Sequence, residues 1–404
     1  MKTGTIVKRR TLLQTGAAAL AVPAVIRTAR AAGGAIRIGV PTALTGTYAN
    51  MGEMVRRTCN MVAKEVQARG GVLGGRQLEF LFEDTGGVPA NCVRKAQEMV
   101  ERGEVTLFTG IMASSEALAV SAKLPEWNAL FMSSINGAGE LTAEKFVPNF
   151  FRANVSAPMG SRAISLYLKN APQKRFFGIA VDQAWGNSSL KVFEAETQKN
   201  GKEFVGKVTA PTGTRDYSTY IARIRQENPD GVYVVLAGDD ATTFYQQAAE
   251  FHLTEKVQMF TELVDLMSIR PPGDATLGLI GASRYCFTID NPKNAAFVKN
   301  FRAINNDVPD TYDGEQYNAL QMLLAGIEKA GSTDTKALIT ALDGLEIDGI
   351  KGKDQLRECD HQGVQHVFVV QVVKGEDVPG PAPKIIETFA PDQVVPPCRK
   401  SSFS

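Results

Sequence analysis

Histidine is scarce in this sequence. Its 404 residues include three, His252, His361 and His366, and none stands at metal-binding distance along the chain from another ligand. We read each as a surface or packing residue. Cysteine is little used as well: there are five, with no Cys-x-x-Cys pair, which excludes a zinc ribbon and a thioredoxin-like centre. The sequence has no Gly-x-Ser-x-Gly elbow, no His-Glu-x-x-His and no Gly-Lys-Ser/Thr phosphate loop. Gly137-Ala138-Gly139 follows a strand pattern but lacks the third glycine of a dinucleotide turn and comes after the fourth strand. Asp239-Asp240, at a strand end, reads as a pair favouring the start of the next helix rather than as a metal site. With no nucleophile, metal or cofactor fingerprint, the expectation is a protein that is not an enzyme and holds no cofactor and no metal.

Long apolar runs are also missing. The nearest approach, Ala17 to Ile26, is rich in alanine and interrupted by Pro23, too short for a permanent span. It follows Lys8-Arg9-Arg10-Thr11-Leu12-Leu13 and precedes Ala29-Arg30-Ala31, a small-x-small processing pattern. Residues 1–31 therefore read as a twin-arginine-type export signal, with the periplasm as destination. No cysteine sits at the processing point, which argues against a lipid anchor. That segment carries six basic residues and no acidic one; without it the chain holds 38 Lys and Arg against 43 Asp and Glu, a net charge of −5. A mildly acidic chain without a basic cluster is poorly suited to nucleic acid or anionic lipid.

What is present is a repeated alternation. Strand patterns at Ile36–Pro41, Gln77–Glu83, Val105–Gly110 and Ala129–Ser134 alternate with helical ones at 52–69, 89–102 and 114–123. The first of these helices has Val55, Cys59, Val62 and Val66 on one stripe. The alternation restarts at Phe176–Val181 and continues through Val205–Ala210, Val232–Ala237, Val257–Thr261 and Ile280–Phe287. Helical patterns at 314–329 and 335–343, a strand at Val367–Val373 and a proline-rich tail complete the chain. About 370 residues exceed one comfortable core, so two α/β lobes with parallel-sheet cores are expected. Ligands of such sheets bind beyond the carboxyl ends of the strands, here in a cleft between the lobes. Cys59 and Cys92 fall on apolar stripes. Cys359 and Cys398 sit among polar and proline-rich neighbours, where an oxidising compartment favours a disulfide pinning the tail and the free thiols are the alternative. Cys286 remains free.

Several segments, in unbroken order over essentially the whole chain after residue 31, resemble the periplasmic receptors for leucine, isoleucine, valine and related solutes. They include Ile38-Gly39-Val40, Leu44-Thr45-Gly46, Gly70 to Gly75, Glu83-Asp84, Gly110 with Ser114-Ser115, and Glu140-Leu141-Thr142. Asp216-Tyr217-Ser218, Ile221 to Ile224 and Asp360-His361-Gln362 continue the series. The resemblance implies a type I periplasmic binding fold: two Rossmann-like lobes joined by three crossovers near 153–156, 285–289 and 357–363. Lobe 1 would then be 34–153 plus 288–358, and lobe 2 156–286 plus 362–404. It further implies hinged closure on a small-molecule ligand, a monomer, and an ABC permease with its ATPases as partners.

Carried over position by position, the resemblance puts ligand contacts at Tyr48, at the helix start Ser114-Ser115, and at Ser134, Asn136 and Gly137. On the second lobe it puts them at Trp185, Ala237 and Glu262. Ser114-Ser115 would hold a carboxylate, Trp185 would close over the apolar part, and Glu262 would meet an α-ammonium. Gly137 and Ala237 depart from the amino-acid pattern, where a threonine hydroxyl and a second aromatic ring are usual. The expected ligand is an amino acid or related small carboxylate or amide, with an aromatic carboxylate as the alternative. A sensor role without transport fits the same fold.

Overall fold

Apart from Met1, the computed structural model describes residues 34–398, so the export signal read at 1–31 falls outside what it describes. Two sheets carry the architecture. The first contains β1 (Ile36–Thr42), β2 (Leu78–Asp84), β3 (Leu107–Thr109), β4 (Leu130–Ser133) and β5 (Phe150–Arg152). Their order is β2-β1-β3-β4-β5 and every neighbouring pair is parallel. Parallel strands need crossovers, and the helices Ala49–Ala68, Pro89–Glu101 and Ser114–Ser121 supply them. The valine-cysteine stripe read in the first helix is its buried face, and that helix packs against the long later helix Thr311–Ala330.

The second sheet contains β6 (Arg175–Val181), β7 (Glu203–Ala210), β8 (Gly231–Val235), β9 (Gln258–Thr261) and β10 (Ile280–Ser283). A three-stranded antiparallel sheet intervenes in the chain, formed by β11 (Glu346–Gly349), β12 (Gly352–Leu356) and β13 (Gly363–Val364). The chain then returns to the second sheet as β14 (Val367–Lys374) and β15 (Pro381–Phe389), giving the order β15-β14-β10-β9-β8-β6-β7. Its first five strands pair in parallel, and the last two are antiparallel additions.

The proline-rich tail is therefore in part a strand. Pro381 and Pro383 are tolerated because β15 is the sheet's edge, where a missing N–H breaks no inner ladder. Two helices without a counterpart in the sequence reading, Ala157–Leu168 and Pro292–Asn305, complete the layers.

The chain passes between the sheets after Arg152, after Ser283 and after Val364. The first and third passages lie side by side: Arg152 N donates to His361 O at 2.9 Å, and the Gln365 amide donates to Ala153 O at 2.7 Å. Cys359 and Cys398 are bonded there, so the tail is tied to the third passage. Cys59, Cys92 and Cys286 are free and buried. Among the described residues no helix is long and apolar enough to cross a membrane.

Candidate ligand-binding site

A cleft of about 410 Å³, counting its open mouth, lies between the lobes at the carboxyl ends of their strands. From the first lobe it is lined by Tyr48, Met51, Met112, Ala113, Ser114, Ile135, Gly137 and Tyr312. Gln183, Trp185, Ala237, Leu263 and Arg284 line it from the second. The walls are thus mostly apolar or aromatic, and the single charged side chain among them is Arg284.

Five of the nine residues singled out from the sequence meet in this cleft: Tyr48, Ser114, Gly137, Trp185 and Ala237. The other four stand behind it. Ser115 is half-buried and outside the lining. Ser134 donates its hydroxyl hydrogen to Gln316 Oε1 at 2.5 Å and so faces the helix Thr311–Ala330. Asn136 braces two loops, its amide donating to Ile111 O and Met112 O at 3.1 Å each. Glu262 is wholly buried. It accepts from Trp185 Nε1 at 2.9 Å and from Arg284 Nη2 at 3.2 Å, so the charge it meets is a guanidinium of the protein itself. Burial pushes its carboxyl above the usual range, and Arg284 and Trp185 pull it back.

The helix start at Ser114 is built for an acceptor. At the start of the helix Ser114–Ser121 the N-cap residue Ala113 offers no side-chain acceptor and the Glu116 carboxylate accepts from Ala113 N at 2.9 Å, while the first-turn N–H groups have no partner inside the helix. Ser114 Oγ accepts twice, from Gly137 N at 3.1 Å and Ala138 N at 3.2 Å. Both lone pairs are thereby used, and the hydroxyl hydrogen is the one function Ser114 has left to offer. Behind the loop, the buried Arg152 guanidinium binds the carbonyls of Gly137 and Ala138, fixing the peptide whose N–H holds Ser114 and the next one, whose Gly139 N–H reaches Ser188.

Across the cleft the lobes touch. Gln183 donates to the Tyr48 hydroxyl, Gly139 N donates to Ser188 Oγ at 3.1 Å, and Arg284 Nη1 donates to Ile135 O at 2.6 Å. Gly137 makes this approach possible: a Cβ there would lie 2.7 Å from Trp185 Cδ1 and 2.8 Å from Arg284 Nη2. Burial drives the Tyr48 phenol up to about 12, so it is a neutral hydroxyl at neutral pH.

Arg284, Gln183, Tyr312 and the methionines Met51 and Met112 were not singled out from the sequence. Arg284 did carry a signal there, as a charged residue inside the apolar strand pattern read at Ile280–Phe287. Among the described residues, the one grouping of side chains close enough to hold a metal is Cys359, Asp360 and Cys398, whose two sulfurs are bonded to each other.

Two parallel-sheet lobes closing on a polar-ended, apolar-walled cleft define a class, the bilobal solute-binding proteins. A family model described as periplasmic binding protein matches residues 35–377, and the chain belongs to that family. Within it, the leucine/isoleucine/valine type is the one it matches. A Leu/Ile/Val-binding protein homologue of Brucella suis is 24% identical over 350 residues, covering 85% of this chain and 88% of that one. The leucine-, isoleucine-, valine-, threonine- and alanine-binding protein of Pseudomonas aeruginosa is 24% identical over 308 residues, covering 76% and 82%. Among solved structures, the solute-binding protein of an ABC transporter from Rhodopseudomonas palustris BisB5, in complex with 3,4-dihydroxybenzoic acid, superposes with a TM-score of 0.82. It is 21% identical and covers 88% of this chain and 97% of that one. A solute-binding protein from R. palustris with benzoate gives 0.80 at 23% identity, with the same coverage. These structural likenesses bear on the fold. By family, the chain is a periplasmic binding protein.

Proposed function

We propose that this protein is an exported receptor that captures a small carboxylate with an apolar, ring-sized body and delivers it to an ABC permease and its ATPases. The observation that carries this reading is the Ser114 hydroxyl. With both lone pairs used, it can only donate, and it stands at a helix start whose N-cap residue supplies no side-chain acceptor. A ligand carboxylate accepts there, and an ammonium has nothing to accept it. The remaining walls suit a flat apolar body: Met51, Met112 and Ile135 on one side, Trp185 and Leu263 on the other, with Ala237 leaving room. Relatives named for branched-chain amino acids keep the amino-acid reading in play, and Glu262, one residue from the lining, is the feature on its side.

The test is calorimetric titration of ligand-stripped protein with benzoate, 4-hydroxybenzoate, leucine and benzamide. The expected order is acids bound one to one, the amide far weaker and leucine weaker still. Binding of leucine but of neither acid would overturn the reading. Loss of uptake of the labelled acid on deleting the receptor, restored by the intact gene, would distinguish transport from sensing.

A further inference from the structure

The pair Glu262–Arg284 has properties beyond those of a structural ion pair. Glu262 follows β9 and Arg284 follows β10, neighbouring parallel strands, so both side chains arise at the floor of the cleft. Their side chains are 0% and 4% exposed. The guanidinium is held by both Glu262 oxygens at 3.2 Å and by Ile135 O at 2.6 Å. Trp185 occupies a second position on Glu262, at 2.9 Å. Both carboxylate oxygens are thus engaged, and of the pair it is Arg284 that lines the cleft. Arg284 Nε is buried and makes no hydrogen bond. A second observation is independent of this bonding: Gly137, across the cleft, has no room for a side chain because Arg284 and Trp185 fill its place.

We propose that Arg284, locked to Glu262, is the specificity-determining residue of the cleft: it occupies the acidic position that would otherwise draw a cationic group and so selects anions that carry no amine. This rests on the carboxylate reading above and names what enforces it. A buried carboxylate stripped of its guanidinium must take a proton or a cation, and an amine-bearing ligand supplies the cation. The native protein therefore excludes α-amino acids by pre-pairing rather than by size.

The test uses the full chain, titrated with benzoate and with leucine, for wild type, Arg284→Met, Arg284→Lys and the double variant Arg284→Met/Glu262→Gln. Arg284→Met is expected to lose benzoate affinity by about tenfold or more, the effect of one charge-assisted bond, and to gain leucine binding. The double variant should lose that gain, because no carboxylate remains for the ammonium. Arg284→Lys, whose ammonium still pairs with Glu262, should continue to reject leucine, and it carries the test if Arg284→Met does not fold. Arg284→Met with wild-type benzoate affinity and no leucine binding, or Arg284→Lys that binds leucine, overturns the assignment. Wild-type protein that binds leucine in place of benzoate overturns the carboxylate reading as well, so the two failures are distinguishable.

Discussion

Ser114 and Gly137 divide the work of the cleft between giving a hydrogen bond and giving way. Substituting Ser114 by alanine removes the committed donor and leaves the N–H groups of Gly137 and Ala138 without their acceptor. A charge-assisted bond contributes about 1.5–3 kcal/mol, so titration should show the acid bound roughly 10- to 100-fold more weakly. Gly137→Ala acts on the other property. Its Cβ would meet the Trp185 ring and the Arg284 guanidinium well inside contact distance, so the lobes cannot close as they do here. Overpacking of this kind costs about 1–3 kcal/mol. Because that cost falls on the closed form, ligand affinity should drop about tenfold or more while the ligand-free melting temperature stays within a degree or two. Equal losses in both measurements would show that Gly137 matters to folding rather than to closure.

At the scale of elements, the start of the helix Thr311–Ala330 meets the short helix Leu266–Ile269 of the other lobe. Asp310 caps both, accepting from Thr311 N at 2.7 Å and from Leu266 N and Met267 N at 2.7 and 3.0 Å. Asp265 accepts from Ser268 N, but its Oδ2 is buried without a partner. Burial, and then the neighbouring Asp310, push the Asp265 carboxyl well above the usual range. Arg284 opposes this, and Tyr245 and Tyr312 face the same group. Asp310 is raised as well, so the folded Asp265–Asp310 pair holds a proton that the unfolded chain releases above about pH 4. That contribution is complete at low pH and is lost as pH rises through the folded value. Melting temperature is expected to fall between about pH 4 and pH 8, and Asp265→Asn, which keeps the Ser268 cap, should flatten the slope. An unchanged slope would place the proton elsewhere.

Elements also show how far the sequence is legible. The helix Ala49–Ala68 was readable because only one face is buried, and the stripe of Val55, Cys59, Val62 and Val66 records it. The helix Ala157–Leu168 lacked such a stripe because it is buried on nearly every side, Arg162 and both its serines included, so no polar face marks its period. β15 was hidden by prolines that only an edge position tolerates. Ser114 was visible as a helix start after a strand. The partnership of Glu262 with Arg284 and Trp185 was not, because the residues are 22 and 77 positions apart and only the meeting of two strand ends with a helix brings them together.

As a whole molecule, the protein is two sheets whose relative position is set by three passages and by contacts across the cleft. Some of those contacts never touch the lining. Ser188 accepts from Gly139 N across the lobes, and neither residue lines the cleft. Serine-to-alanine substitution at 188 should therefore weaken binding about three- to tenfold, roughly one hydrogen bond. Stopped-flow measurement should find this in a faster release rate, with the association rate unchanged. A slower association rate would mean that Ser188 acts on the open form. The floor of the cleft, sealed by Arg284 reaching Ile135, gives this a wider meaning. A captured molecule leaves as the lobes part and the mouth widens, so its dwell time depends on how often they part. Evolution could then lengthen or shorten the stay by editing residues such as Ser188, which touch no ligand, without altering what is recognised.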